Sequence, residues 1–93
     1  MIEDIEICAK IKSMAARLMP PSEMAARLNI NEDDLKSGLK KHNSPVRKAF
    51  LCGVSETVDE IRETNISVAK TGSPDAIRNC LSAMREMIND IDE

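Results

Sequence analysis

The sequence predicts an all-α protein: an N-terminal three-helix unit of helix-turn-helix form, then an α-hairpin whose first arm is one long helix. Three observations carry this. Apolar residues recur at three- and four-residue steps along most of the chain. Phe50 is the only Phe, Tyr or Trp, so Leu, Ile, Val, Met and Ala must build the core; with abundant Glu, Lys and Arg, these favour helix. The breaks between periodic segments hold Pro, Gly, Asn and Ser where helices stop and start.

The first periodic segment runs from Ile2 to Met19, with Ile7, Cys8, Ile11, Met14, Ala15 and Leu18 on one face. Pro20 and Pro21 end it, because the residue before a proline is pushed out of helical geometry. Proline is also suited to the first turn of the next helix, expected over Pro21 to Leu28. Asn29 tolerates positive φ and serves as a left-handed stop; Asn31 is then a good N-cap for a third helix. Glu32, Asp33 and Asp34 fill that helix's first turn, where the dipole favours carboxylates, and Leu35 and Leu39 are its buried face. "HNSP" at 42 to 45 closes it and starts another helix. From there Val46, Phe50, Val54, Val58, Ile61, Asn65 and Val68 keep a step near 3.6 up to Lys70. In "TGSPD", Gly72 reads as the stop, Ser73 as N-cap and Pro74 as first helical residue. The last helix is expected to turn Ile77, Cys80, Leu81, Met84, Met87, Ile88 and Ile91 inward.

Composition excludes several classes. Ninety-three residues make one small domain-sized chain, a size at which helical proteins often gain stability by associating. A net charge of −3 gives no whole-chain attraction to nucleic acid. Cys8, Cys52 and Cys80 are widely spaced, without a CxxC pair, and His42 is the only histidine, so neither a metal site nor a disulfide framework is expected. Three reduced, mostly buried thiols in a cytoplasmic protein is the plainer reading. The lone histidine leaves no Ser–His or Cys–His pair to nominate for catalysis, and no glycine-rich phosphate loop exists. No cofactor is expected. No apolar run is long enough to span a bilayer, and the N-terminus lacks a signal-peptide core.

Residues 21 to 41 meet the spacing of a helix-turn-helix: small Ala25 where two helices cross, Asn29 at the turn, the apolar plug Ile30, then Leu35 and Leu39. "PSEMAARLNINEDDLKSGLKK", "SPVRKAFLCGVSETV" and "AKTGSPDAIRNCLSAM" together resemble the small subunit of phage terminases and their helix-turn-helix relatives, from about residue 5 to residue 90. The resemblance implies a protein without catalytic activity that recognises double-stranded phage DNA at the packaging start. It would assemble through its C-terminal hairpin and hand the DNA to a terminase large subunit. Two features depart from the family pattern. Gly38 stands where a large apolar residue is usual, and little tail follows the last helix.

Between Leu35 and Ser55 there is no acid, while Lys36, Lys40, Lys41, Arg47 and Lys48 bring five positive charges. Local charge decides phosphate contact. The expected DNA-contacting residues are therefore Asn31, Lys36, Ser37, Lys40, Lys41, Arg47 and Lys48. The acids at the mouth of the third helix argue for phosphate contact over sequence readout. The bland reading of the basic stretch is a solvated helix face, that of Asn65 a partly exposed boundary residue, and that of the six methionines core filler. Organisation is expected as residues 1–44, the DNA-binding unit, and 45–93, a helical hairpin for homo-oligomerisation through Phe50, Val54, Val58, Ile61 and Met84. A helical adaptor whose frame no longer touches DNA, and a small transcriptional regulator, are the competing readings.

Overall fold

The computed structural model describes residues 4–91 and consists of five helices: α1 (Ile5–Ala16), α2 (Pro21–Leu28), α3 (Glu32–Lys40), α4 (Pro45–Lys70) and α5 (Pro74–Ile91). The all-α expectation holds, and no strand occurs among the described residues. The expected start of α1 at Ile2 and the last two residues of the acidic "NDIDE" lie outside the described residues.

Most caps follow the local chemistry. Asp4 opens α1 by accepting from the Glu6 amide at 2.7 Å. Asn29 adopts φ 55°, and the Ile30 amide donates back to the Ala25 carbonyl at 3.1 Å. Asn31 Oδ1 accepts from the Asp34 amide at 3.0 Å, so α3 begins with a satisfied N-cap. One stop differs from expectation. α1 ends at Ala16, not Met19, because Leu18 takes φ 61°. The Leu18 amide donates to Ala15 O at 2.9 Å and the Met19 amide to Met14 O at 3.2 Å, a Schellman pair built without Gly or Asn.

The chain divides into two compact units, the first ending at Val58 and the second starting at Asp59. The boundary thus falls inside α4 and not at its start, where the sequence placed it. The reason is burial. The first unit's core is Ile11, Ala15, Met24, Ala25, Leu35 and Val46, with Phe50 and Val54 packed against it, so the first turns of α4 are part of that core. α1 and α4 approach closely at Gly53: a Cβ there would collide with the Lys12 carbonyl oxygen and stand 3.0 Å from the Ala15 Cβ. Beside this contact Thr57 Oγ1 donates to the Ala16 carbonyl, and Lys12 pairs with Glu56 at 3.3 Å.

The second unit is the end of α4 and α5, joined by a turn in which Gly72 has φ 96°. The Gly72 amide donates to Ala69 O at 3.0 Å, and Ser73 starts α5, its carbonyl accepting from the Ile77 amide at 3.0 Å. Asn65 Nδ2 donates to Cys80 Sγ at 3.5 Å, which marks the side of α5 that faces α4. That side is made of small residues: Ala76 is buried, and Cys80 and Ala83 are half-buried. The inward placement expected for the large residues of α5 does not occur. Ile77, Leu81, Met84, Met87, Ile88 and Ile91 are all exposed, from 40% at Ile77 to 82% at Ile91. A two-helix hairpin that closes on its small residues has no second layer to cover its large ones.

Candidate nucleic-acid interface

The junction between α3 and α4 gathers the basic residues singled out by sequence. It is held by one buried hydroxyl. Ser44 Oγ donates to the Gly38 carbonyl at 2.6 Å and accepts from the Arg47 amide at 3.1 Å. It therefore satisfies an orphan amide at the start of α4 and is a second donor to the Gly38 carbonyl, which also accepts from the Lys41 amide at 3.2 Å. Arg47 Nη1 donates to Leu39 O at 2.8 Å, placing a cation on the negative end of α3. The sequence showed Ser44 as a helix start; its link to Gly38, six residues back, is a tertiary contact with no local signature.

The structure sorts the seven expected contact residues. Lys40, Lys41 and Lys48 flank this junction, are exposed, and have no acidic partner among the described residues. Ser37 is exposed one turn away on α3. The other three are already occupied within the protein. Asn31 Oδ1 caps α3, and Arg47 is half-buried on Leu39. Lys36 is paired with Glu32 at 2.8 Å, one helical turn before it. That hydrogen bond, reinforced by their opposite charges, raises the Lys36 ammonium above its ordinary value and lowers the Glu32 carboxyl below its own. Ser22 Oγ also donates to Glu32, at 3.3 Å.

The same sorting applies to the supporting bases of α1 and α2. Lys10 pairs with Glu6 at 3.7 Å, Lys12 with Glu56 at 3.3 Å and Arg27 with Glu23 at 3.6 Å. Such exposed pairs stabilise little, but each sets a carboxylate beside the cation and so weakens its attraction for a phosphate. Arg17 is the exception, donating to the Ser13 carbonyl at 3.4 Å with no acidic partner among the described residues; three more cations without acidic partners, Lys40, Lys41 and Lys48, gather at the end of α3 and the start of α4, while the acids Glu32, Asp33 and Asp34 stand at the opposite end of α3.

The expected association residues divide between the units. Phe50 and Val54 are packed on the first unit's core and Val58 is half-buried, whereas Ile61 and Met84 are 56% and 53% exposed. The thiols are less buried than expected, with Cys52 exposed and Cys8 and Cys80 half-buried. Among the described residues no helix is long and apolar enough to cross a membrane, and no cluster of His, Cys, Asp and Glu has the makings of a metal site. No protein-family model, curated protein or solved structure matches this chain.

Proposed function

We propose that the chain is a non-enzymatic DNA-binding protein that contacts the phosphate backbone through the α3–α4 junction, in the manner of a helix-turn-helix protein of phage or mobile-element origin. The observation that carries this reading is the trio Lys40, Lys41 and Lys48, exposed and without acidic partners on a rigid corner. The setting in DNA packaging, as a partner of a terminase large subunit, rests on the sequence resemblance alone.

Phosphate contact fits better than base readout. In a helix-turn-helix the start of the second helix reaches the base edges. Here that start holds three carboxylates, and the nearest candidates for base contact, Asn31 and Lys36, are engaged in a cap and an ion pair. Binding is expected to be tolerant of sequence and sensitive to salt.

The test is anisotropy of a labelled random-sequence duplex with the wild type and with Lys40→Glu/Lys41→Glu. Loss of most binding in the variant, with helicity retained, is the expected result. Equal binding by both proteins would remove DNA contact from this corner. No binding by the wild type at low salt would favour the adaptor reading.

A further inference from the structure

The turn between α3 and α4 presents three consecutive exposed residues, Lys41, His42 and Asn43. It is tied at both ends. The Lys41 amide and Ser44 Oγ donate to the Gly38 carbonyl at 3.2 and 2.6 Å, and the Ser44 amide donates to the Lys41 carbonyl at 3.3 Å. Lys40 and Lys41 precede His42, and Lys48 follows at the end of the first turn of α4, its amide bonded to the Ser44 carbonyl at 3.1 Å. The His42 imidazole makes no hydrogen bond or ion pair among the described residues, so both ring nitrogens are open to a ligand.

We infer that His42 is a fourth phosphate-contacting residue of this corner, one that acts only as the imidazolium, so that DNA binding takes up a proton and tightens as pH falls. The inference rests on the DNA-binding reading and adds proton linkage to it. The charged groups beside the turn are all cations: Lys40 and Lys41 on the α3 side, Arg47 and Lys48 on the α4 side. No acid occurs from Leu35 to Ser55, and Glu32, Asp33 and Asp34 stand at the far end of α3. On α1, α2 and α4, Glu6, Glu23 and Glu56 are each paired with a base of their own. The imidazolium therefore has no carboxylate to neutralise it, and a DNA phosphate is the anion that fits. The neutral ring offers one donor and no charge, whereas the protonated ring offers two donors and a full charge. A phosphate at the corner thus favours the protonated form, and the proton comes from solvent. Imidazole changes charge near about pH 6.5, and His42 is the only histidine. The Glu32–Lys36 pair does not respond in that window. Lys36 holds the Glu32 carboxyl below its ordinary range and is itself raised, so both stay charged and Lys36 stays engaged.

The experiment is a salt titration of random-duplex binding by the full chain at about pH 7.5 and about pH 5.5, with wild type, His42→Gln and His42→Lys. For the wild type the log–log slope should steepen from about −2.7 to about −3.6 at the lower pH, one more phosphate. Affinity should rise about three- to fivefold, the size of one exposed charge contact. His42→Gln should keep the shallower slope at both pH values, and His42→Lys the steeper slope at both. Mixing wild type with duplex near about pH 6.5 in weak buffer should also take up protons, which His42→Gln should not. Both substitutions fall on an exposed turn where no side-chain contact is lost, so the fold is retained. A wild-type slope that ignores pH, or the same pH response in His42→Gln, would overturn the inference and leave the DNA-binding reading standing. A His42→Lys protein that binds like His42→Gln would overturn it too. A wild type that binds no duplex at either pH would overturn both readings together.

Discussion

Ser44 is the single residue on which the basic corner depends most. Its hydroxyl bonds to Gly38 O and to the Arg47 amide in a buried setting, so Ser44→Ala removes the Arg47 amide's partner and one of the two donors to Gly38 O, the other being the Lys41 amide. The loss should be about 1–2 kcal/mol in a denaturant melt, the usual range for a helix cap. Glu32 is the residue that restrains the corner. Glu32→Gln would release Lys36 from its ion pair, and the log–log salt dependence of DNA binding should steepen by about 0.9, one more phosphate. The pH behaviour of this pair has a definite sign. The Glu32 carboxyl is lowered in the folded chain, so its contribution is present above the ordinary glutamate range and is lost as pH falls through the lowered value. The Lys36 ammonium is raised, so its contribution persists through neutrality and is lost only as pH rises past its elevated value. Acidification below the glutamate range should therefore free Lys36, which nuclear magnetic resonance of the Lys36 side chain would register. At this scale the sequence was informative wherever the chemistry is local. Asn29, Asn31 and Ser73 announce their roles by residue type and position. The stop at Leu18 does not, since nothing in a leucine favours positive φ, and the bonds that close it, to Ala15 O and Met14 O, are backbone only.

Among the elements, α4 is the one whose two ends belong to different units. Its first turns complete a core with α1, α2 and α3, and the closest point is Gly53 against Lys12 and Ala15. Gly53→Ala would gain helix propensity of about 1 kcal/mol yet force α1 and α4 apart. Overpacking should win, with a net destabilisation of about 1–3 kcal/mol by thermal or denaturant unfolding. A value near zero, or a stabilisation, would show that α1 can shift without cost. The helices themselves were legible because a 3.6-residue apolar period and its punctuation are written along the chain. What covers each apolar face was not. The periodicity of α5 is as regular as that of α4, but Val46 is fully buried while Ile88 is 57% exposed. The difference lies in which other element is present, and periodicity carries no information on that.

For the whole molecule, the net charge of −3 is a poor guide to binding because the charges are segregated. Acids and bases pair along α1, α2 and the start of α3, while Arg17 and Arg47 bond only to carbonyls and three exposed lysines gather at the α3–α4 junction. That arrangement is the central claim, and it makes a quantitative statement about salt. Three phosphate contacts give a log–log slope of about −2.7, so affinity for a random duplex should fall roughly 40-fold on a fourfold rise in salt, from about 50 to about 200 mM. The one measurement that tests this most directly is that titration, repeated with Lys48→Glu. A slope near −2.7 for the wild type, reduced by about one unit in the variant, is the result the proposed reading predicts. A flat salt response, or a slope that Lys48→Glu leaves unchanged, would contradict it.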